Sequence, residues 1–223
     1  MKKLSKTAGL TVIELLVSVA IIVALAMVAV PAVWGAYKSS SLAVSANNVR
    51  QLAAGGAGYL SDNNYQFWPF LTKTSEGHVW WFGLEPTKEL GKPEGQRVID
   101  MSAGPLGTYL PRNMAPDPSF HLTGKPFKPK FAFGYIGLAY NVHLAGETNG
   151  RAVWETRPPP WPQPLRYWDL QKPGQTIVFA TSAQVYPFHK PAVIEEFYGI
   201  DKSETTVHFR HNGQAMVSFA DGS

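Results

Sequence analysis

Residues 9–34, GLTVIELLVSVAIIVALAMVAVPAVW, decide the fold of this chain. Between residues 15 and 33 there is no charged side chain, and the one hydroxyl side chain, Ser18, can bond back to its own helix. About 20 apolar residues, rising about 1.5 Å each in an α-helix, cross the hydrocarbon of a bilayer. The stretch therefore predicts a transmembrane helix.

The residues around the start of this stretch predict its orientation. Lys2, Lys3 and Lys6 precede it with no acidic residue among them, and positive charge of this kind holds a terminus in the cytoplasm. Glu14 stands at the head of the apolar run, where a carboxylate at the helix centre would cost about 2.5–3.5 kcal/mol. We expect Glu14 to have a partner, an interface or a function, and we expect the chain after Trp34 to lie across the membrane.

The hexapeptide Gly9-Leu10-Thr11-Val12-Ile13-Glu14 resembles the prepilin peptidase site of type IV pilins and type II secretion pseudopilins. The resemblance implies that a basic leader, residues 1–9, is cut after Gly9 and that the new N-terminus, Leu10, is methylated. It also implies a glutamate fifth in the mature chain, which is Glu14. Family members usually have Phe as the first mature residue, and the departure at Leu10 bears on methylation more than on cleavage.

The same resemblance implies a mode of assembly. In a fibre, the Glu14 carboxylate could pair with the amine of Leu10 of a neighbouring subunit, and in apolar surroundings a misplaced neighbour would leave a charge unpaired. Pro31 falls where many pilins have a helix-bending proline. The implied partners are prepilin peptidase, other pilin or pseudopilin subunits and the inner-membrane assembly platform.

Two other interpretations of residues 9–34 stay open. A secretory signal peptide also begins with lysines, and Ala29-Val30-Pro31-Ala32 could serve as its cleavage site, but its apolar core is usually about 7–15 residues long and has no acid at its head. A simple single-pass anchor differs from a pilin only in lacking the motif from Gly9 to Glu14.

The composition of the chain limits which classes of fold and function remain. A chain of 223 residues allows one domain plus an anchor. Without residues 1–9, 17 basic and 16 acidic residues remain, and no nucleic-acid-binding module is recognisable. Cysteine is absent, so an exported domain must be stabilised by burial, ligands or assembly. Seven Trp, nine Tyr and twelve Phe supply that burial, and 18 Pro and 20 Gly predict a loop-rich head.

Residues 35–62 predict an amphipathic continuation of the helix. An apolar stripe at helical spacing consists of Leu42, Ala46, Val49, Ala53, Gly56 and Leu60, and the opposite face consists of Ser45, Asn47, Asn48, Arg50 and Gln51. Glycine weakens a helix by up to about 1 kcal/mol relative to alanine. We therefore expect Gly55, Gly56 and Gly58 to permit close approach of another backbone, and Asp62-Asn63-Asn64 to end the helix.

Residues 63–223 predict a loop-rich β head. Phe67-Trp68-Pro69-Phe70 is expected to cap the helix end, and strands are expected at 78–82, 131–141 and 176–181. We expect the aromatic residues at 67–82 to pack the interior rather than to stack on carbohydrate. Residues 157–164 contain five prolines and predict an exposed, polyproline-like connector, which could also serve a proline-binding partner.

The C-terminus has the clearest β signal. Residues 206–210 and 215–220 flank Asn212-Gly213, which predicts a tight hairpin. His211, nine residues, then Asp221-Gly222 resembles the H-x9-D-G signature of many bacterial prepilin-like proteins. The chain ends at Ser223, a few residues sooner than many of them. Both ends of the chain thus resemble one family.

Motifs for other chemistry are missing. His208, His211 and Asp221 are metal-binding residue types, but they lack a third histidine at ligand spacing and a calcium loop, so we expect them to support the hairpin. Calcium occurs in some pseudopilins, but no local motif here indicates it. Ser182 and Ser218 lie outside any G-x-S-x-G context. The pair Glu195-Glu196 predicts a solvated loop or strand edge, and no enzyme is predicted.

The sequence thus predicts an α+β, pilin-like fold in which the long N-terminal helix packs its second half on a small antiparallel sheet. We expect four parts: a leader at 1–9, a transmembrane and assembly helix at 10–34, its amphipathic continuation at 35–62 and a head at 63–223 that ends in a hairpin. The expected location is the bacterial inner membrane, with the head in the periplasm or on an extracellular fibre. The alternatives are a membrane-tethered module that binds glycan or peptide through an aromatic head, and a secreted enzyme with a signal peptide.

Overall fold

The computed structural model describes residues 11–111, 114, 116–132, 137–146, 163–186, 188, 190–201 and 206–223. The chain divides into two compact units, Met1–Ser40 and Ser41–Ser223. One α-helix, α1, covers Val12–Asp62 and contributes residues to both units. The prediction of one long helix that ends at Asp62 is confirmed.

Within the second unit, α1 packs on the head through a face that differs from the predicted stripe. Its buried residues are Ser41, Ser45, Asn48, Val49, Leu52, Gly55, Gly56 and Leu60. Placing Ser45 and Asn48 on the solvent face was wrong, because both are 1% exposed. Leu42, expected on the packed stripe, is 42% exposed. Ser45 is buried because its hydroxyl donates to Asp117 Oδ1 at 2.8 Å, a partner 72 residues away that helical periodicity does not reveal.

The glycines of α1 permit the close approach that the sequence predicts. A Cβ added at Gly56 would lie 2.8 Å from the Trp68 indole ring, and one at Gly55 would lie 3.2 Å from the Tyr109 carbonyl oxygen. Real Cβ atoms do not pack at 2.8 Å without a shift of their neighbours. Absence of a side chain at Gly56 therefore lets the Trp68 ring pack directly against the helix.

The helix ends in a left-handed turn. Asn64 and Tyr65 have φ values of 51° and 55°, and the Tyr65 N–H donates to the Leu60 carbonyl at 2.8 Å. Asparagine adopts positive φ more readily than most residues, which suits this position. The turn directs residues 67–70 into the interior.

The described residues of the head form three small sheets rather than one. The first is an antiparallel meander in the order β1-β2-β3, with β1 at Leu71–Lys73, β2 at Gly77–Trp80 and β3 at Gly83–Pro86. The predicted strand at 78–82 thus stops at Trp80, because Trp81 and Phe82 turn into the core.

The second sheet has four strands in the order β10-β6-β5-β9. They are β5 at Leu138–Asn141, β6 at Ile177–Thr181, β9 at Gly199–Ile200 and β10 at Val217–Phe219. The pair β5–β9 is parallel, and the other pairs are antiparallel. The strand predicted at 176–181 is confirmed. Of the strand predicted at 131–141, the structure has 138–141 as β5, while residues 133–136 lie outside the described residues.

The third sheet has the order β4-β8-β7, with β4 at Phe127–Lys128, β7 at Gln184–Tyr186 and β8 at Val193–Glu195. Its β4–β8 pair is parallel. The α+β class is therefore confirmed, with mixed sheets where a single antiparallel sheet was expected.

Aromatic residues form the centre of the head. Trp68 stacks on Tyr140 and Phe179 with ring centroids 4.8 and 5.7 Å apart. Trp81 is fully buried, and its indole N–H donates to the Tyr198 carbonyl at 2.9 Å. The prediction that the aromatic residues at 67–82 pack the interior is confirmed for Trp68 and Trp81.

The C-terminal turn is present, but its arms do not pair as a hairpin. Asn212 and Gly213 have φ values of 53° and 79°, and His211 bridges Gln214 across them. The two arms then separate, because Thr181 of β6 lies between them. Its N–H donates to the Met216 carbonyl at 2.9 Å, and its carbonyl accepts from the His208 N–H at 2.9 Å. The predicted hairpin is thus limited to the turn and one bridge.

Candidate functional site: the apolar helix and the C-terminal segment

The expected processing residues, Gly9 and Leu10, lie outside the described residues, which begin at Thr11. Glu14 lies in the first turn of α1. Its Oε2 accepts from the Thr11 N–H at 2.9 Å and from the Thr11 hydroxyl at 2.8 Å. The Glu14 N–H donates back to the Thr11 hydroxyl at 3.3 Å. This is a reciprocal capping box, which satisfies backbone groups that a helix N-terminus leaves unpaired.

The first half of α1 presents apolar side chains to its surroundings. It is long and apolar enough to cross a membrane, and its most apolar 18-residue window contains no buried residue. Its exposed large hydrophobic residues are Val12, Ile13, Leu15, Leu16, Val17, Val19, Ile21, Ile22, Val23, Leu25, Met27, Val28, Val30, Val33 and Trp34. An apolar surface of this extent indicates contact with lipid or protein. Ser18 donates its hydroxyl to the Glu14 carbonyl at 2.7 Å, as expected.

Pro31 lies inside α1, and the helix continues through it. Proline has no N–H, so the carbonyl four residues earlier, at Met27, lacks its usual helical donor. A few residues further, Trp34 and Tyr37 pack edge to face with centroids 6.2 Å apart. Both rings are exposed, which is typical of residues at a membrane–water interface.

The C-terminal signature residues lie in different environments. His211 is buried, and its Nε2 has no hydrogen-bond partner. Burial, aided by the charge of Arg210, lowers the pKa of His211 below its ordinary value. Asp221 is exposed, and its Oδ1 accepts from the Ser223 N–H at 3.1 Å and from the Ser223 hydroxyl at 2.8 Å. Gly222 follows with φ 90°.

Arg210, next to His211, connects the C-terminal segment to several other parts of the head, and sequence reasoning missed it. Its Nη2 donates to Asp117 Oδ2 at 2.6 Å and to the Gly137 carbonyl at 2.6 Å. Its Nη1 donates to the Ser182 carbonyl at 3.1 Å, and its Nε donates to the Ser119 hydroxyl at 2.7 Å.

Asp117 completes this cluster from the other side. Its Oδ1 accepts from Ser45 of α1 and from the backbone and hydroxyl of Ser119. Burial pushes the pKa of Asp117 upward, but the charge of Arg210 and the hydrogen bonds from Ser119 and Arg210 outweigh it, and the pKa lies below its ordinary value. One buried ion pair thus joins helix α1 to the C-terminal segment.

The carboxylate pair Glu195-Glu196 was expected in a solvated loop or at a strand edge, and that expectation was wrong. Both residues are buried. Glu195 pairs with Lys130 at 3.5 Å and with Lys128 at 3.8 Å. Glu196 accepts from the Tyr198 hydroxyl at 2.7 Å, but its Oε1 has no partner. Burial raises the pKa of Glu196 to about 7, against the smaller effects of Tyr198 and Lys130.

A cleft lies near these carboxylates. Glu85, Arg97, Lys130 and Tyr198 are among the residues that line it. Glu85 is buried, with Oε1 at 3.2 Å from Arg97 and Oε2 accepting from the Trp80 indole at 2.9 Å. Because its charges pair with one another, this cleft is an internal ion-pair network. Among the described residues, no group of three or more His, Asp or Glu side chains is placed to hold a metal ion.

The predicted connector at 157–164 is described only at Gln163 and Pro164, and residues 157–162 lie outside the described residues. The Pro164 carbonyl accepts from Gln66 Nε2 at 3.1 Å.

Comparison with known proteins gives no relative. No protein-family model matches the chain, and neither a curated protein nor a solved structure matches it significantly.

Proposed function

We propose that this protein is a structural, pilin-like subunit of a type II secretion pseudopilus or a type IV pilus. It is processed by prepilin peptidase after Gly9 and assembled through α1. The observation that carries the proposal is the change of character along one continuous helix. Residues 12–34 are apolar and exposed, whereas the helix from Ser41 onward contributes a buried face to a folded head.

The exposed apolar half supports a role in both membrane and fibre. Before assembly, these side chains can lie in the hydrocarbon of the bilayer, where a helix satisfies all its interior backbone groups. After extraction, the same surface needs an apolar partner, and the helices of neighbouring subunits provide one. A protein that only needed an anchor would have no use for the motif from Gly9 to Glu14.

The position of Glu14 supports the assembly role. The described hydrogen bonds of its carboxylate fall on Oε2, and all come from Thr11 in the same turn. The carboxylate is therefore held at the helix N-terminus, close in sequence to the amine that cleavage after Gly9 would create at Leu10. A neighbouring subunit's amine could approach this carboxylate and fix the register of the fibre.

The Arg210–Asp117 pair supports a mechanical role for the head. Through Ser45, it bonds helix α1 to segments more than 70 residues away in sequence. A force applied to α1 would thus act on the head through buried, charge-assisted hydrogen bonds, which are stronger than neutral ones.

The proposed location is the inner membrane, with the N-terminus in the cytoplasm and the head in the periplasm. The proposed partners are prepilin peptidase, other pilin or pseudopilin subunits and the inner-membrane assembly platform.

N-terminal mass spectrometry of the membrane fraction tests the proposal. In cells with prepilin peptidase we expect a peptide that starts at Leu10, methylated or not, and in cells without it we expect an intact N-terminus. Gly9→Leu should block processing, whereas Gly35→Leu, at a position with nothing within 4 Å of an added Cβ, should not. An intact N-terminus in both strains would favour the membrane-tethered module, and a start beyond Ala29 would favour an exported protein with a signal peptide.

Topology can be tested separately. The chain has no cysteine, so one introduced cysteine is a unique label site. In cells without prepilin peptidase, which keep residues 1–9, Lys88→Cys in the head should react with a membrane-impermeant maleimide in spheroplasts, and Ser5→Cys should react only after lysis. The reverse pattern would contradict the proposed orientation.

A further inference from the structure

A short segment, residues 206–211, lies along the end of strand β6. The Ala183 N–H donates to the Thr206 carbonyl at 3.0 Å, and the His208 N–H donates to the Thr181 carbonyl at 2.9 Å. The segment is not a strand of any described sheet. Individual hydrogen bonds therefore hold its backbone, and regions held in this way are the ones that open locally in a folded protein.

One buried ion pair anchors this segment. The Arg210 side chain pairs with Asp117, and both side chains are 1% exposed. Each carboxylate oxygen of Asp117 is already engaged, Oδ1 by Ser45 and Ser119 and Oδ2 by Arg210. The charge of Asp117 is thus balanced by Arg210, and a further positive charge next to Arg210 would not be balanced by this carboxylate.

Two histidines of the segment stand on either side of Arg210. His211 is buried and His208 is half-buried. Nδ1 of His208 and Nε2 of His211 are shielded from solvent and have no hydrogen-bond partner. An imidazolium carries an N–H on both nitrogens, so protonation would give each of these atoms a donor without an acceptor. The docked segment therefore favours neutral histidines.

The charged groups that face these histidines act mainly in the same direction. Burial, aided by the charges of Arg210, His211 and Lys125, lowers the pKa of His208. Burial and the charge of Arg210 lower the pKa of His211, against the smaller attraction of Asp117. The docked state thus binds fewer protons than the open state, so docking weakens as the pH falls below the ordinary histidine pKa of about 6.5.

Glu196 contributes to the same balance. Its carboxylate attracts the Arg210 guanidinium, and its pKa is about 7. It therefore loses its charge as the pH falls toward 5. Acidification adds positive charge beside Arg210 at the two histidines and removes negative charge at Glu196.

We propose that residues 206–211 form an acid-released latch, in which protonation of His208 and His211 opposes the Arg210–Asp117 pair and frees the segment from the end of β6. Opening leaves the Thr181 carbonyl and the Ala183 N–H without partners, and unpaired backbone groups of this kind can pair with another chain.

The aromatic centre of the head stays folded when the latch opens. Trp68 and Phe179 do not titrate, and burial raises the pKa of Tyr140 well above its ordinary value. The acid response is therefore local.

The test is amide hydrogen exchange, followed by NMR on the full chain in lipid nanodiscs. Rates at pH 5 and pH 8 are compared as protection factors, because intrinsic exchange itself varies with pH. The protection of the His208 and Ala183 N–H groups should fall at least about threefold at pH 5. The Trp81 N–H, which donates to the Phe70 carbonyl at 2.8 Å, should keep its protection.

Substitution assigns the effect to the two histidines. His208→Gln and His211→Gln should each reduce the fall in protection, and the double variant should remove it. The matched control is His78→Gln. His78 is a half-buried histidine of β2 beside Glu85, and burial lowers its pKa too, so this variant should leave the fall unchanged.

A second measurement needs only the wild type and the two single variants. The imidazole resonances of His208 and His211, assigned by their loss in the single variants, should titrate below about 6.5, over the same range in which the protection is lost. Latch amides that stay protected at pH 5, an equal loss at the Trp81 N–H, a fall that the double variant retains, or imidazole midpoints at or above about 6.5 would each overturn the proposal.

Discussion

Arg210 Nη2 lies 2.6 Å from Asp117 Oδ2, and the side chains of both residues are 1% exposed. The guanidinium also lies 4.4 Å from the centre of the Phe120 ring, so an aromatic face covers it. Gly137 is required next to the pair, because its φ is 65° and a Cβ there would lie 2.6 Å from Arg210 Nη2. The C-terminal segment therefore enters the head through a site built from four separate parts of the chain.

Arg210→Met should destabilise the head strongly. Removing one member of a buried ion pair leaves the other charge uncompensated, which typically costs about 3–5 kcal/mol. Urea unfolding of the full chain in nanodiscs, followed by tryptophan fluorescence, measures the change.

The control for Arg210→Met is Glu94→Gln. Glu94 pairs with Lys128 at the surface, with side chains 35% and 44% exposed, so its loss should cost less than about 1 kcal/mol. Equal effects of the two substitutions would show that the Arg210–Asp117 pair has no special role.

Gly56→Ala should destabilise the protein although alanine is the better helix former. The added Cβ would lie 2.8 Å from the ring of Trp68, and Trp68 is confined by Tyr140 and Phe179. Overpacking of this kind costs about 1–3 kcal/mol, against a gain in helix propensity of up to about 1 kcal/mol. The midpoint of thermal unfolding should therefore fall.

Gly35→Ala is the matched control, since nothing lies within 4 Å of its added Cβ. At Gly35 the gain in helix propensity is not offset by overpacking, so the stability of the protein should stay the same or rise. A Gly56→Ala protein as stable as Gly35→Ala would mean that Trp68 can move away from the helix at no cost.

Glu196 should make the head less stable as the pH rises. Its pKa is about 7 in the folded chain, above the ordinary value of 4.5. Between these values the folded state binds more protons than the unfolded state, so stability falls as the pH rises through this window. His208 and His211 act in the opposite direction, because their lowered pKa values remove stability as the pH falls below about 6.5.

The measurement is therefore a difference between the wild type and Glu196→Gln. Their free energies of unfolding, compared at pH 5, 6, 7 and 8, should diverge in favour of the variant as the pH rises. Curves that stay parallel over this range would show that Glu196 does not titrate there.

Glu14→Val should leave export and processing intact but impair assembly. The substitution removes the one carboxylate of the apolar half, and the hydrophobic length of the helix is maintained. Processing is read from the N-terminal peptide, and assembly from the amount of protein in sheared surface or pelletable fibres. Ser18→Val, one turn away on the same helix, serves as the control because its hydroxyl bonds only within the helix. Normal fibres from Glu14→Val would rule out the proposed ion pair.

Several predictions that rest on local pattern agree with the structure. The end of α1 at Asp62 follows from residues adjacent in the chain, as does the strand β6 at Ile177–Thr181. The turn at Asn212-Gly213 is equally local, because positive φ is a property of these residue types. Gly56 was recognisable as a site of close approach, since a glycine within a helix needs a packing reason.

The sequence by itself determined that one helix of this length exists, that its first half is apolar enough to span a membrane and that aromatic residues fill an α+β head. These properties depend on the spacing and hydrophobicity of residues along the chain, and both can be read directly from the sequence. Only the tertiary structure decided which face of α1 is buried, that Glu195 and Glu196 lie inside and that Arg210 meets Asp117. These depend on partners as many as 93 residues apart, and burial of a polar side chain is favourable only once such a partner is in place.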